Sequence, residues 1–146
     1  MSLFVIDASV AAKWFLPPSG EPRSAEARRL LSAYADGRVR FAVPDLFWAE
    51  CANILWKAVR QGRWTLRDAE ASITLLMQRP FPTTSAREVL EETFSIAITF
   101  DRSVYDSLYV ALAVRLKADL VTADERLASA LAAHLPVKWL GSLGGL

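Results

Sequence analysis

Four acidic residues of this chain lie at predicted strand ends or on predicted helices. They are Asp7, Glu50, Asp106 and Asp124. Asp7 ends one short apolar run and Asp124 comes just past another, whereas Glu50 and Asp106 lie in helix-like stretches. In an open parallel α/β sheet, strand ends and helix starts converge on one crevice. Carboxylates packed so closely repel each other unless a cation neutralises them, so the pattern indicates a hard divalent metal ion.

Each of these acids also has an ordinary structural explanation. Asp7 and Asp124 directly precede helix-like stretches, and aspartate is a good N-cap residue. Asp106 lies three residues after Ser103, which is the spacing of a capping box. Taken singly, each of these three is better explained as a cap. Agreement among all four acids favours the metal site, because unrelated caps would have no reason to share one edge of a sheet.

Glu50 lies in the middle of a predicted helix, where capping cannot explain it. One polar stripe of this helix contains Glu50, Asn53, Lys57 and Arg60. The stripe either faces water, or it lines the crevice and continues as a basic track for nucleic acid. Arg63 extends the basic character, and no acid occurs between Cys51 and Arg67 although the formal net charge of the chain is only +1.

The composition excludes several other chemistries. The chain has 146 residues, 53% of them hydrophobic, so it can bury a substantial core. It contains one cysteine and one histidine, which is too few for a Cys/His zinc site or an internal disulfide. A Ser-His-Asp arrangement would depend on His134, which reads as an ordinary residue at a helix end.

Nothing in the sequence predicts a membrane segment or a secretory signal. No apolar run reaches the roughly 18 residues of a membrane helix. The N-terminus has no basic region, and Asp7 interrupts its apolar start. With one cysteine as well, a cytoplasmic location is the default expectation.

Short strands alternate with helical stretches along the chain. Strands are predicted at about 3–6, 41–43, 80–83, 120–122 and 137–140, with the 80–83 strand at an edge because prolines cannot donate hydrogen bonds. Helices are predicted at about 8–16, 24–35, 45–60, 65–77, 85–99, 104–117 and 125–133. The alternation predicts the α/β class, with a central short parallel sheet flanked by helices on both faces. We expect one domain over 1–146, with a frayed tail at 141–146.

Four motifs give the chain a family resemblance. They are Val5-Ile6-Asp7-Ala8-Ser9, Pro44 followed by Glu50 to Leu55, Tyr105 to Ala113, and Leu120 to Leu127. In these residues the chain resembles PIN-domain proteins, and among them the VapC-type ribonuclease toxins of toxin–antitoxin pairs. The motifs occur in the family's order and span nearly the whole chain.

The resemblance implies a PIN-like three-layer fold and a role for particular residues. The four acids would hold Mg²⁺ or Mn²⁺ in the catalytic site. Ser9, Asn53 and Thr122 match polar positions that support such a site. Asp101 is an extra acid close to the predicted site helix, without a clear match among the family's positions, and is an outer-shell candidate. The weaker expectation of RNA contacts by Lys57, Arg60 and Arg63 comes from the charge pattern alone.

The same resemblance implies a reaction and partners. We expect metal-dependent hydrolysis of RNA by water, leaving a 5′-phosphate and a 3′-hydroxyl, because the chain lacks a histidine pair for cleavage through the ribose 2′-hydroxyl. The partners would be an antitoxin, whose amphipathic segment occupies an aromatic-lined groove, and a second copy of the chain in a homodimer. The aromatic candidates are Trp14, Phe15, Phe47, Trp48, Trp56 and Trp64, most of them expected in the core.

Two other interpretations remain open on the sequence. A phosphoacceptor receiver domain also gathers acids around Mg²⁺, but it would need an acidic pair at the first strand and a lysine at a late strand end. Here Asp7 stands alone, and Lys138 lies within the last predicted strand. A PIN-fold binding module without catalytic turnover is the second alternative.

Overall fold

A parallel sheet of five strands forms the centre of the protein in a computed structural model that describes residues 1–146. The strands are β1 (Ser2–Ile6), β2 (Val39–Pro44), β3 (Thr83–Thr84), β4 (Asp119–Thr122) and β5 (Val137–Trp139). Their order across the sheet is β3-β2-β1-β4-β5, and every neighbouring pair is parallel. The carboxyl ends of all five strands therefore point towards the same edge.

Helices cover both faces of this sheet. They are α1 (Ala8–Ala11), α2 (Ser24–Ala35), α3 (Leu46–Arg60), α4 (Leu66–Met77), α5 (Leu90–Phe100), α6 (Val104–Leu116) and α7 (Glu125–Leu131). Val5 and Ile6 in β1, and Leu120 and Val121 in β4, are fully buried neighbours. Because successive strand residues face opposite sides, burial of both neighbours means that both faces are covered. The predicted three-layer α/β fold is confirmed.

Helix α6 is the most deeply buried helix. Every residue from Ser107 to Ala113 is buried, and the helix packs against β1, β2 and β4. A helix that is apolar on all sides belongs in a core rather than at a surface. Its N-terminus is fixed by this packing, which holds Asp106 and Tyr109 at defined places beside the sheet.

The first predicted helix and the third predicted strand differ from the elements observed. The helix predicted from Ala8 to Leu16 becomes α1 followed by a 3₁₀ turn at Ala12–Trp14. This change from an α-helix to a 3₁₀ turn precedes Pro17, whose ring would clash with a backbone carbonyl if the α-helix continued. The third strand is Thr83–Thr84 and excludes the prolines, which have no N–H to donate. Its place at the edge of the sheet is as predicted.

The remaining boundaries agree with the sequence within a few residues, apart from 3₁₀ turns at Ala86–Val89 and Leu140–Ser142. The first of these turns replaces the start of the helix predicted from Ser85. In the predicted tail, residues 141–146, Leu143 and Leu146 pack against the hydrophobic core. None of the helices combines the length and the apolar character that crossing a bilayer requires.

Candidate acidic site at the carboxyl edge of the sheet

Asp7 and Asp124 lie side by side because β1 and β4 are neighbours. Ile6 is paired with Val121 in the register of the two strands, and the Asp7 amide donates to the Val121 carbonyl at 3.1 Å. Asp7 therefore follows β1 immediately, and Asp124 follows β4 two residues later. The parallel arrangement expected from the sequence brings these two acids to the same edge.

A hydroxyl network joins the two strand ends. The Thr122 hydroxyl donates to Asp7 Oδ2 at 2.8 Å, and the Thr122 oxygen accepts the Asp124 amide at 3.0 Å. The Ser9 hydroxyl accepts the Ala123 amide at 3.2 Å. Thr122 is completely buried, so its hydroxyl is held in a fixed orientation towards Asp7. Ser9 and Thr122 therefore have contacts that suit the supporting role expected of them.

Glu50 is held by a tyrosine from another helix. The Tyr109 hydroxyl donates to Glu50 Oε1 at 2.6 Å, which joins α6 to α3. Burial, the charge of Asp7 and the hydrogen bond to Glu50 all raise the pKa of Tyr109. The phenol consequently stays protonated and acts as a donor at any physiological pH. Tyr109 thus fixes the orientation of a carboxylate that lies mid-helix.

The carboxylates of this edge influence one another electrostatically. Burial raises the pKa of Asp7 to about 6, and the negative charges of Glu50 and Asp106 contribute to the increase. Burial also raises the pKa of Asp106, with a further contribution from the charge of Asp124. Each of the four acids therefore interacts with at least one other. Such mutual repulsion is what a cation would relieve.

The capping roles anticipated from the sequence are also present. Asp7 accepts the Ser9 amide at 3.3 Å, and Asp124 Oδ1 accepts the amides of Arg126 and Leu127 at 3.0 and 3.1 Å. The Ser103 hydroxyl accepts the Asp106 amide at 3.0 Å. Capping and site formation are compatible, because Asp124 Oδ2 accepts no hydrogen bond from the protein.

The other predicted site residues lie outside this network. Asn53 is exposed on α3 one turn beyond Glu50, and Asp101 is exposed at the end of α5 with a left-handed φ of 54°. Neither residue forms a hydrogen bond with the four acids. Lys57 and Arg60 are exposed on α3. Arg63 pairs with Glu21 at 2.8 Å, which takes up part of its charge.

The set of donors suits a hard divalent cation, since all four side chains offer carboxylate oxygen. Their arrangement is looser than a finished site. No group of three or more His, Cys, Asp or Glu side chains is placed so that it could hold a metal ion. An ion could bind at this edge only if side-chain rearrangements brought the carboxylates closer together.

Sequence reasoning missed three residues around this site. Tyr109 lies three residues after Asp106, so helical spacing alone places the two on the same face and could have revealed it. Arg102 has a positive charge that acts to lower the pKa of Asp106. Cys51 is buried, and burial together with the charges of Asp7 and Glu50 raises its pKa, so it remains an unreactive thiol.

The fold and the site define a class of protein: a parallel α/β domain that gathers carboxylates at the carboxyl edge of its sheet. Within that class the chain belongs to the PIN domain family, whose profile matches residues 4–131. Ribonuclease VapC3 of Pyrobaculum aerophilum is 38% identical over 128 residues, which cover 85% of this chain and 91% of that protein. The family resemblance expected from the four motifs is confirmed.

Solved structures share the fold at low sequence identity. A protein of Pyrobaculum aerophilum has a TM-score of 0.68 at 20% identity, with 96% of this chain and 92% of that chain covered. The Mycobacterium tuberculosis toxin VapC20, described as cleaving the sarcin–ricin loop, has a TM-score of 0.63 at 17% identity, with 89% and 95% covered. A toxin–antitoxin complex from Klebsiella pneumoniae also has a TM-score of 0.63 at 17% identity, with 94% and 96% covered.

Family membership removes the receiver-domain alternative. The lysine that such a domain would need also forms an ion pair away from the acidic edge. Lys138 lies in the middle of β5 and pairs with Asp119, at the start of β4, at 3.1 Å. It therefore contacts the residue that begins β4, whereas the carboxylates follow the end of that strand.

Proposed function

We propose that this protein is a metal-dependent endoribonuclease and the toxin of a toxin–antitoxin pair. The proposal is supported by its membership of the PIN domain family and by its 38% identity to a protein named Ribonuclease VapC3. The observation that carries it is the shared carboxylate edge, where Asp7, Glu50, Asp106 and Asp124 interact through their charges. An edge of this kind offers oxygen ligands in a setting that is unfavourable without a cation.

We assign these four acids as the ligands of Mg²⁺ or Mn²⁺. A divalent ion held there would supply Lewis-acid assistance to the attack of water on the phosphodiester, and we propose that this hydrolysis leaves a 5′-phosphate and a 3′-hydroxyl. Thr122 and Ser9 orient the strand ends, and Tyr109 orients Glu50. Asp7, with a pKa of about 6, is mostly ionised at neutral pH and available as a ligand. Asn53 and Asp101 are assigned only to the outer shell.

Cleavage of structured RNA tests this function. Wild-type protein should cleave in Mg²⁺ or Mn²⁺ and lose all activity in EDTA. Asp7→Asn and Asp106→Asn should fold and lose more than about 100-fold in rate, because loss of a ligand exceeds the 10–100-fold effect of outer-shell changes. Asp119→Asn, at the other end of β4, should cleave as well as wild type. Cleavage that is unaffected by EDTA or by both site variants would contradict the proposal.

A binding module without turnover is the second candidate. It is favoured by one observation, which is that no three potential ligands are placed to hold an ion in the present arrangement. The cleavage assay separates the two candidates. A properly folded protein that binds RNA, yet never cleaves it in Mg²⁺ or Mn²⁺, would be the module and not the enzyme.

The antitoxin partner is proposed to occupy a groove between α3 and α4. A cavity of about 450 Å³ is lined by Trp48, Ala52, Ile73, Leu76, Met77 and Arg79. This mainly apolar lining suits the apolar face of an amphipathic segment, and the charge of Arg79 in the lining suits an acidic residue. Of the aromatic candidates, Trp14 and Phe47 are buried in the core, and Trp48 lines the groove. Expression should arrest growth, and co-expression of the small protein encoded next to this one should relieve the arrest.

We also propose a homodimer and a cytoplasmic site of action. The dimer is supported by an apolar stripe on α5, where Leu90, Phe94 and Ile98 expose 52%, 59% and 69% of their surfaces. These residues recur at every fourth position, so they form one continuous face. Light scattering should give twice the mass of the chain, and Phe94→Glu should reduce it to that of one chain. A cytoplasmic location follows from the proposed RNA substrate.

A further inference from the structure

Trp56 is the most exposed tryptophan of the chain, and it lines neither the core nor the groove between α3 and α4. It lies on α3 with 51% of its surface accessible, whereas Trp14 retains only 7%. The guanidinium carbon of Arg60 lies 4.9 Å from the centre of the Trp56 ring. This is a cation–π contact, and the ring remains half exposed. An aromatic ring is thus presented to solvent beside a positive charge.

The surroundings of Trp56 are basic and contain no acid. A depression of about 380 Å³ is lined by Trp56, Lys57, Arg60 and Gln61, and its volume falls within the range of about 300–1,000 Å³ that small ligands occupy. Neither Lys57 nor Arg60 forms an ion pair with a carboxylate, unlike Arg63. Two positive charges therefore remain available for an anionic partner beside an aromatic surface.

The helix connects this depression to the acidic edge. Lys57 follows Glu50 by seven residues, which is two turns, so the two side chains share a face of α3 about 10 Å apart along the axis. Arg60 belongs to the same stripe, and Trp56 lies beside it, one residue before Lys57. Lys57 therefore belongs both to the depression and to the face of α3 that carries Glu50.

We propose that Trp56, Lys57 and Arg60 form a base-stacking subsite for single-stranded RNA; the proposal rests on the ribonuclease function proposed above. A nucleobase stacks on the part of the Trp56 ring that Arg60 leaves uncovered, and the two cations bind the adjacent phosphates, which is the combination that single-strand binding proteins use. The charge decides in favour of RNA over a protein helix as the occupant. An apolar helix would find better contacts in the groove at Trp48 than among two unpaired cations.

Fluorescence anisotropy with a short labelled single-stranded RNA tests this subsite, in EDTA so that the RNA stays intact. Trp56→Ala should weaken binding at least about five-fold, which is the lower limit for loss of one stacked base, and Trp56→Phe should retain most of the affinity. Leu75→Ala is the matched control, because Leu75 on α4 also exposes 51% of its surface. Lys57→Ala should reduce the slope of log affinity against log salt by about 0.7.

A second probe separates stacking from a general loss of structure. RNA of the same length with abasic positions should bind wild type and Trp56→Ala equally, because neither complex can then stack a base. The proposed subsite is wrong if Trp56→Ala binds intact RNA as tightly as wild type does. It is also wrong if the substitution weakens binding of the abasic probe as much as it weakens binding of intact RNA. If wild type cleaves RNA, either result overturns the subsite but not the proposed ribonuclease function. If wild type neither binds nor cleaves RNA, the subsite and the proposed function are both wrong.

Discussion

The Asp7 carboxylate accepts two hydrogen bonds and is also affected by burial. One oxygen accepts the Ser9 amide, and the other accepts the Thr122 hydroxyl. Both bonds favour the ionised form, yet burial outweighs them and raises the pKa to about 6. Ionised Asp7 therefore destabilises the fold in the absence of a cation. A group held at such a disadvantage is typical of a functional site rather than of a structural cap.

This shift predicts how stability depends on pH. The pKa of Asp7 is about 6 when folded and 3.8 as its ordinary value. Its contribution to stability is therefore complete below about pH 3.8 and is lost as the pH rises through 6, at a cost of up to about 3 kcal/mol. Without divalent ions, Asp7→Asn should be more stable than wild type at pH 7, and the difference should vanish near pH 4.

Urea unfolding followed by circular dichroism measures this difference at both pH values. Asn keeps an oxygen that can accept the Ser9 amide, and its NH₂ group can donate to the Thr122 oxygen instead of accepting from it, so the main change is the loss of the charge. Asp119→Asn serves as the control, and its effect on stability should change little between the two pH values. An Asp7→Asn variant that is less stable than wild type at pH 7 would contradict the electrostatic account.

A substitution at Tyr109 tests whether its hydroxyl group supports RNA cleavage by orienting Glu50. Tyr109→Phe removes the 2.6 Å bond to Glu50 and preserves the ring in its buried place. A hydrogen bond to a charged group contributes about 1.5–3 kcal/mol, so RNA cleavage should fall roughly 10- to 100-fold and the Mn²⁺ concentration required should increase. Cleavage rates over a Mn²⁺ titration give both quantities.

Tyr105→Phe is the matched control for that experiment. Tyr105 lies one turn earlier on α6 and exposes 63% of its surface. It should change neither the rate nor the metal requirement. Equal effects of the two substitutions would mean that Tyr109 does not act through Glu50. Helical spacing places Tyr109 on the same face as Asp106, but it could not reveal the bond to Glu50, since residues 59 positions apart meet only through tertiary packing.

Three elements are tied together by a partly buried ion triad. Lys13 in the turn after α1 lies 2.8 Å from Glu21 Oε1, and Arg63 after α3 lies 2.8 Å from Glu21 Oε2. The Lys13 and Glu21 side chains expose only 8% and 12% of their surfaces. Glu21 thus anchors the loop before α2 to the ends of two other segments.

Removal of the shared carboxylate should destabilise this part of the fold. Glu21→Gln leaves Lys13 charged and buried, and breaking such a pair costs roughly 3 kcal/mol or more. The double variant Lys13→Met with Glu21→Gln should recover most of that loss. Chemical unfolding of both variants gives the two values.

Glu26→Gln is the control for the triad. Its pairs with Arg23 and Arg29 are longer, at 3.5 and 3.7 Å, and both arginines are about half exposed. Surface pairs of this kind contribute about 0–1 kcal/mol. A loss of similar size in Glu21→Gln and Glu26→Gln would show that Lys13 is not dependent on its partner.

The elements differ in how far the sequence could predict them. Helix α2 was predicted with its observed bounds, because an amphipathic pattern and Gly37 define it locally. The third strand was predicted too early in the chain, at 80–83, and is observed at Thr83–Thr84. Phe81 is buried against Phe41 and Trp14 and is not paired in the sheet, so tertiary packing determines the conformation of this segment. Likewise, the sequence predicted a polar stripe on α3 but could not tell that Trp56 beside it is exposed.

The topology of the whole molecule explains why acids that are distant in the chain lie at one edge of the sheet. Parallel pairing of β1 with β4 aligns Asp7 with Asp124, and burial of α6 delivers Asp106 and Tyr109 to the same edge. Alternation of strands and helices was enough to predict this class of fold. The strand order, and therefore the neighbours of Asp7, required the structure. A single domain over 1–146 stays a prediction, supported by one core cluster that extends from Phe4 to Leu140.

The rise in unfolding temperature on addition of Mn²⁺ tests most directly whether the four carboxylates form one cation site. At about 100 times its Kd, an ion that binds only the folded state should raise the wild-type Tm by about 5–10 °C. Asp7→Asn, Glu50→Gln, Asp106→Asn and Asp124→Asn should each lose most of that rise, and Asp119→Asn should keep it. A rise that survives in all four site variants, or that is absent from wild type, would contradict the account.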